Sequence, residues 1–395
     1  MNKWLDNICA GLFYLGLAAE ILLVIWDKSS WTNPYMGLIC RMTFLLFAVC
    51  CACSVRKSTM TEDIVFAIGV LIGALSWRFG GRNDLLRIVI FLRAAGTVSV
   101  PRAMKVTFVS SVLGCLGLVG LAFAGIQGHL YQTYDYGHGV ETRWDLGLGH
   151  PNSLHCMAAM LLIFALYLFE KRMKLYLYVL LGVGNVLLYG LTRSNTAFAI
   201  SMLALMLSLI LHYGKKLAAG NAVYFLGEAI LFGGLLFSVF CGIYRPSDHR
   251  LLAKLDHVLT GRISSLWTTT FHEGTLSTWK WFGQRLNVCY FDLGWLRVVY
   301  WYGVIPAIVI IGPMPFWSMR EKQRTGQPFC CSFALACIRF SRRIWCLPIS
   351  EEITHCLLLP CICRRCWEEQ NPPSGKRGKN ESEEQSRSGL WPVAA

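Results

Sequence analysis

The sequence predicts an all-α integral membrane protein with about ten transmembrane helices and a large extracytoplasmic loop. Three observations support this fold class: 55% of the 395 residues are hydrophobic, only 15% are charged, and long apolar runs recur along the chain. A soluble chain of this length has roughly a quarter charged residues and lacks repeated runs of that kind. The mean hydropathy of +0.47 agrees with a polytopic membrane protein.

The apolar runs recur at intervals that fit successive membrane crossings, since a crossing helix needs about 20 mostly apolar residues. They lie at 8–26, 36–55, 64–79, 85–100, 106–126, 153–169, 175–191, 196–213, 222–243 and 296–317. The fourth run is short and contains Arg87 and Arg93, which are costly against lipid, so we expect this segment to be tilted, half-buried or re-entrant. The first run is too long for the apolar core of a signal peptide, so we expect it to be the first span.

The distribution of basic residues predicts the orientation, because cytoplasmic loops carry an excess of Lys and Arg. With a cytoplasmic N-terminus, every cytoplasmic turn is basic. These turns contain Lys3; Arg56 and Lys57; Arg102 and Lys105; Lys171, Arg172 and Lys174; Lys215 and Lys216; and Arg320, Lys322 and Arg324. We therefore expect a multi-pass protein of the plasma membrane. Basic loops beside anionic lipid also explain the net charge of +14 better than nucleic-acid binding does.

The chain divides into a polytopic membrane domain, residues 1–318, and a tail, residues 319–395. Within the membrane domain, segments 127–152 and 244–295 are too long for simple turns, so we expect them to be extracytoplasmic loops with functional residues. The tail is rich in Cys and Arg and is expected to be cytoplasmic. Its C-x-C-x-x-C spacing lacks the second pair that a zinc site needs. We interpret the tail as either translated out of frame or genuine and disordered.

Polar groups gather where the predicted spans begin or end on the extracytoplasmic side. They are Arg143, Asp145, His150 and Asn152 in "RWDLGLGHPNSL"; Arg193 in "YGLTRSNTAFAI"; Arg262 in "LTGRISSLW"; Arg285 in "FGQRLN"; and Asp292 in "FDLGWLRVVYWYGVIP". Several arginines at one depth favour an anionic ligand, because guanidinium groups bind phosphate oxygens bidentately. The predicted sixth and eighth spans also begin on this side, and helix N-termini attract anions.

These motifs, in this order and at this spacing across roughly residues 60–317, resemble the oligosaccharide-repeat-unit polymerases of bacterial capsule and exopolysaccharide assembly, which belong to the O-antigen polymerase and ligase superfamily. The resemblance implies an undecaprenyl-diphosphate-linked oligosaccharide as substrate. It implies a glycosyltransferase that uses no metal and no other cofactor, with a flippase and a chain-length regulator as partners in the membrane.

Glycosyl transfer with a diphosphate leaving group needs cations against the developing charge and a base near the attacking hydroxyl. Under the resemblance, Arg193 and Arg262 are the first choices for the diphosphate. The candidates for the catalytic base are His150 and His272. The substrate-binding candidates are Arg143, Asn152, Arg193, Arg262, Arg285 and Asp292.

Several of these candidates have a plainer alternative. Pro151 suits the first turn of a helix, so His150 and Asn152 would then only satisfy loose backbone groups. Arg193 would be an interfacial arginine that snorkels, and Arg262 would be a solvated loop residue.

Two other functions compete with the polymerase. A polysaccharide ligase performs the same transfer onto a different acceptor, which one sequence does not identify. A flippase or transporter of lipid-linked oligosaccharide should show internal repeats and polar groups through the depth of its spans. Glu228, in the ninth run, would be a proton-relay candidate of such a transporter. The gathering of polar groups at one side favours the enzyme.

Overall fold

A computed structural model describes residues 3–29, 34–55, 58–96, 98–135, 140–214, 222–259, 261–268, 272–285, 287, 291 and 293–311. Within this part the chain is mostly helical, and eight helices are long and apolar enough to cross a membrane. The coarse prediction of a helical multi-pass membrane protein is therefore confirmed. The tail 319–395 lies outside the described residues, so the zinc, reading-frame and disorder interpretations stay predictions.

The helices that precede the large loop follow one another in chain order, and all except α4 qualify as candidate spans. They are α1 (Lys3–Asp27), α2 (Met36–Val55), α3 (Met60–Gly80), α4 (Asp84–Ala95), α5 (Val100–Phe123), α6 (Pro151–Leu168), α7 (Leu175–Thr192), α8 (Asn195–Tyr213) and α9 (Ala222–Ile243). The candidate spans coincide with the predicted runs except for 85–100 and 296–317.

The predicted fourth span is shorter in the structure than a full crossing. Helix α4 has 12 residues and is therefore about 18 Å long, against a hydrocarbon core of about 30 Å. Its two arginines are ion-paired: Arg87 lies 2.6 Å from Glu20 on α1, and Arg93 lies 2.5 Å from Asp63 on α3. Acidic partners on neighbouring helices thus neutralise both charges, in agreement with the half-buried alternative.

Phenylalanine rings join the first helices of the bundle. The ring centroids of Phe13 on α1, Phe47 on α2 and Phe91 on α4 lie 5.0–5.4 Å apart. Helix α3 packs closely on the other side of α4, where a Cβ atom at Gly73 would lie 2.9 Å from the Cα atom of Leu86. Helix α5 packs on α1, and α6 packs on α5 and α8.

The segment 127–152 is not a plain loop. It contains an antiparallel hairpin of β1 (Tyr131–Asp135) and β2 (Val140–Trp144), with Gln132 opposite Arg143. This hairpin is an addition to the predicted all-α fold. Strand β2 packs against α7, so the hairpin lies over the helical bundle.

The segment 244–295 is also folded. It contains α10 (Arg250–Val258) and α11 (Arg262–Thr268), and it leads into α12 (Gly294–Tyr302) and α13 (Val304–Ile311). Its apolar core joins the end of α9 to the loop and to α12. Buried members of this core are Cys241, Leu252, Ile263, Leu266 and Leu296.

The predicted tenth span is interrupted in the structure. Helices α12 and α13 have nine and eight residues, and they meet at Gly303, whose φ is +95°. Neither helix alone is long enough to cross a bilayer, and residues after 311 lie outside the described part. The described chain therefore supports eight spans by length and composition, with α4 and the α12–α13 pair as shorter elements.

Both folded loops lie on one side of the bundle, where α1, α3, α5 and α7 end and α2, α4, α6 and α8 begin. We call this side the loop face. Gly149 at the start of α6 lies against the carbonyl oxygen of Lys28 at the end of α1. Gly81 at the end of α3 lies against the side chain of Arg285 in the large loop. The sequence predicts that the loop face is extracytoplasmic.

Candidate functional site

The His-Pro-Asn motif begins helix α6. His150 is the N-cap, and its Nδ1 accepts a hydrogen bond of 3.1 Å from the backbone N–H of Asn152. Pro151 occupies the first turn, where its missing N–H costs nothing. In a neutral ring this bond occupies the nitrogen lone pair that a general base needs. The local geometry of His150 therefore matches the capping alternative better than the catalytic one, and Asn152 is a buried first-turn residue.

The surroundings of His150 favour the neutral ring that the cap requires. Burial lowers the pKa of His150, and the charge of Arg143 lowers it further. Arg143 itself is engaged by Glu141, with 2.7 Å between Nη2 and Oε2. Arg143 thus lies on strand β2 with an acidic partner, although that partner is more than half exposed and exchangeable.

A buried carboxyl group ties the hairpin to the start of α6. Asp145 is fully buried, and Nε2 of Gln132 donates to its Oδ2 at 2.6 Å and to the carbonyl oxygen of Gly149 at 3.0 Å. The other carboxyl oxygen, Oδ1, is buried and makes no hydrogen bond with the residues that the structure describes. Burial raises the pKa of Asp145, whereas the hydrogen bond from Gln132 lowers it.

A buried histidine that the sequence analysis did not select lies one turn into α6. His155 is fully buried. Its Nε2 lies 3.0 Å from Oδ1 of Asn185 on α7, and its Nδ1 lies 2.8 Å from Oγ1 of Thr192 at the end of α7. Asn185 also donates to the carbonyl oxygen of Phe198 on α8. The signal for this network was a histidine and an asparagine within apolar spans, where polar groups need partners.

The turn that carries Arg193 is anchored by this network. Arg193 is exposed and adopts a left-handed conformation with φ +53° at the C-cap of α7. The residues on either side, Thr192 and Ser194, are buried. The backbone therefore holds Arg193 on the loop face, next to helix α7, against which the strand of Arg143 packs.

The carboxylate of Asp256 organises the segment that carries Arg262. Asp256 is buried on α10, and its Oδ1 accepts hydrogen bonds from the backbone N–H groups of Ile263 and Ser264 at 2.7 and 3.2 Å. Its Oδ2 accepts a hydrogen bond from the hydroxyl of Ser264. Asp256 thus caps α11, and Arg262 lies half-buried at the first residue of this helix.

His272 lies in the large loop beside an aromatic ring. Its ring centroid lies 5.8 Å from that of Trp267, which in turn lies 5.9 Å from the guanidinium carbon of Arg245. The backbone N–H and hydroxyl of Thr275 both donate to the carbonyl oxygen of His272 and hold its φ at +48°. Nδ1 of His272 is buried and makes no hydrogen bond with any residue in the described ranges.

Two arginines stack on one tryptophan near the ends of α3 and α12, and a third arginine packs on Gly81 beside Arg82. The guanidinium carbons of Arg82 and Arg297 lie 4.2 and 4.9 Å from the ring centroid of Trp301. The side chain of Arg285 packs on Gly81, with Cγ 3.4 Å from where a Cβ would lie. We call Arg82, Arg285, Arg297 and Trp301 the Trp301 cluster. A stacked guanidinium keeps its N–H edge directed to the side, where carboxylate or phosphate oxygens bind.

The structure therefore distributes the predicted residues over separate parts of the loop face, with Arg262 and His272 beside α11. Arg143, His150 and Arg193 lie around α6 and α7, whereas Arg285 lies in the Trp301 cluster beside α3. Sequence reasoning did not select Arg82 or Arg297, although Arg82 ends "WRFGGR" and Arg297 lies within "WLRVVYWY", two segments that contain several aromatic residues. Asp292 lies outside the described residues.

No group of three His, Cys, Asp or Glu side chains in the described part of the chain is arranged to hold a metal ion. No family model, no curated protein and no solved structure matches this chain.

Proposed function

We propose that the protein polymerises undecaprenyl-diphosphate-linked oligosaccharide repeat units into cell-surface polysaccharide. In this reaction the bond between the anomeric carbon and the diphosphate breaks, and the hydroxyl of an incoming repeat unit forms the new glycosidic bond. The hydroxyl proton passes to a base, and undecaprenyl diphosphate leaves with the bonding electrons. The arginines of the loop face, above all the Trp301 cluster, are the observation that carries this proposal.

The Trp301 cluster has the chemistry that a diphosphate leaving group needs. Arg82 and Arg297 are stacked on Trp301, and Arg285 lies on the adjacent Gly81. Positioned cations stabilise the negative charge that develops on the leaving oxygens. Stacking restricts the rotamers of the arginine side chains, so less conformational entropy is lost when the anion binds.

Of the two predicted bases, His272 suits the role better. The lone pair of Nδ1 in His150 is used by the cap of α6. His272 caps no helix in the described part of the chain, and its backbone is fixed by Thr275. Because its Nδ1 is buried, Nε2 is the nitrogen that would accept a proton from a substrate hydroxyl. Under this proposal, His272 takes the proton of the attacking hydroxyl.

The transporter alternative receives less support from the charges within the bundle. Arg87 and Arg93 of α4 are paired with Glu20 and Asp63. These ion pairs join neighbouring helices, whereas a transporter needs polar side chains that line a pathway for its substrate. The side chain of Glu228 lies outside the described part. The ligase alternative differs only in its acceptor, and the same loop-face chemistry would serve it.

Reconstituted turnover tests the proposal. Purified protein in liposomes receives a lipid-diphosphate-linked repeat unit, and the products are separated on a gel. We expect a ladder, and we expect Arg82→Ala and Arg285→Ala to lower the turnover roughly 100-fold or more, the usual cost of removing a charge-stabilising donor. Arg172→Ala is the matched control, because Arg172 is an exposed arginine at the opposite end of α6.

Each other outcome has a defined meaning. Turnover in Arg82→Ala and Arg285→Ala equal to that of Arg172→Ala would contradict the role of the Trp301 cluster. A product that forms only when a separate acceptor is added would identify a ligase. Movement of the substrate across the liposome membrane without any new glycosidic bond would identify a flippase.

A further inference from the structure

Helix α10 in the large loop has an exposed apolar stripe. On its inner side, Leu252 is 1% exposed and packs in the loop core, and Asp256 caps α11. On its outer side, Leu251 and Leu255 are 78% and 45% exposed. These two leucines are four residues apart, so they lie one above the other on the same helix face.

Basic side chains border this stripe. Arg250 and Lys254 are exposed, also four residues apart, and each precedes one of the two leucines. The acidic side chain of the helix, Asp256, points to the opposite, buried side. Asp248, just before the helix, is exposed and accepts a hydrogen bond from Ser247. Within α10 the exposed surface is therefore apolar on one side and cationic on the next.

The start of α10 lies beside the outward-facing surface of span α9. His249, the N-cap of α10, has its ring centroid 5.1 Å from that of Tyr244 and 6.4 Å from that of Phe240. Phe240 lies in the last turn of the span, and Tyr244 directly follows it. They are 41% and 42% exposed, so we infer that they face lipid at the level where aromatic residues collect. Helix α10 thus begins at the membrane boundary and on the lipid side of α9.

We propose that α10 lies in the membrane surface, with Leu251 and Leu255 among the acyl chains and Arg250 and Lys254 on the phosphates of anionic phospholipid. An amphipathic helix with leucines on one side and Lys or Arg beside them binds a bilayer in this way. A second copy of the chain fits less well. A stable protein contact needs about 800 Å² from each partner, and a two-fold contact would set the bases of one copy against those of the other. The proposal does not depend on the reaction that the protein catalyses.

Photocrosslinking from single positions tests this placement. The photoreactive residue p-benzoylphenylalanine replaces Leu251 or Leu255, and the protein is placed in nanodiscs of phosphatidylcholine and phosphatidylglycerol. After irradiation, the mass of the peptide that carries the probe identifies the partner. Ala253 is the matched control position, because it is exposed on the same helix but lies on the side away from the leucines. We expect phospholipid adducts at 251 and 255, several-fold above those at 253.

The charged half of the proposal is tested in the same nanodiscs. Arg250→Gln with Lys254→Gln is expected to remove the preference of the 251 adduct for phosphatidylglycerol over phosphatidylcholine. In the unmodified protein, trypsin should cut after Arg250 and Lys254 more slowly in nanodiscs with phosphatidylglycerol than in phosphatidylcholine alone. Any one of three outcomes would overturn the proposal. They are equal yields of phospholipid adduct at 251 and 253, a rate of trypsin cleavage that does not depend on the lipid, and crosslinks to a second copy of the chain.

Discussion

Nδ1 of His155 lies 2.8 Å from the hydroxyl oxygen of Thr192, the residue that immediately precedes Arg193. The opposite nitrogen, Nε2, lies 3.0 Å from the carbonyl oxygen of Asn185, which only accepts hydrogen bonds, so Nε2 carries the ring proton. The hydroxyl of Thr192 also lies 2.9 Å from the carbonyl oxygen of Leu188, so its single proton is shared between that oxygen and Nδ1. One buried imidazole thus connects the start of α6 to the turn between α7 and α8.

Replacing His155 with Ala should destabilise this end of the bundle. The change leaves the buried groups of Asn185 and Thr192 without their partner, at a cost of about 1–3 kcal/mol in the free energy of unfolding. Denaturant unfolding in detergent micelles measures the effect. His257→Ala, at an exposed position on α10, is the control. Equal stability of the two variants would mean that the His155 network makes no net contribution to the free energy of unfolding.

Asp145 should make the stability of the protein depend on pH. Burial raises the pKa of this carboxyl group, so the folded state favours its neutral form. Its stabilising contribution is complete below the unfolded pKa of about 3.9 and is lost as the pH rises through the higher folded pKa.

Thermal unfolding of Asp145→Asn between about pH 4 and pH 8 tests that relationship. We expect the variant to lose less stability than the parent protein as the pH rises, because its amide stays neutral. Asp248→Asn, at an exposed position, should unfold with the parental pH dependence. A parental profile in Asp145→Asn would exclude this carboxyl group as the source.

The ion pair between Glu20 and Arg87 should depend on both partners. Glu20→Gln leaves the Arg87 charge in the bundle without its counter-ion, at a cost of about 3–5 kcal/mol. The double change Glu20→Gln with Arg87→Met removes both charges and should recover much of that loss.

The measurement for this pair is unfolding in mixed detergent micelles. Thr43→Val is the control, since it removes only the hydroxyl that donates to Oε1 of Glu20 at 2.6 Å and should cost about 1 kcal/mol. A double variant less stable than Glu20→Gln would show that the pair does more than neutralise charge.

The membrane-spanning helices were predictable from the sequence, because apolar runs of this length have few other stable environments. The partners of the intramembrane charges were not. Glu20 and Arg87 are 67 residues apart, and their contact depends on how α1 packs with α4. The hairpin was missed because "YQTYD" and "VETRW" are too polar to give a clear alternating pattern.

The candidate site was predictable in composition but not in arrangement. The contact of Arg297 with Trp301 is local, since the two residues are four apart on α12. The contact of Arg82 with Trp301 depends instead on how the end of α3 packs against α12. For His150, the pattern permitted both a cap and a base, and only the position of Nδ1 against the N–H of Asn152 distinguishes them.

Three glycines form a junction of backbone against backbone at one edge of the loop face. A Cβ at Gly283 would lie 1.9 Å from the carbonyl oxygen of Trp301, and a Cβ at Gly303 would lie 2.4 Å from the Cα atom of Phe282. Gly80, at the end of α3, approaches the same carbonyl oxygen and Gly283. Backbone atoms, unlike side-chain atoms, cannot relieve a close contact by changing rotamer. This edge is therefore a fixed backbone contact, and any movement of the large loop relative to α3 must pivot about it.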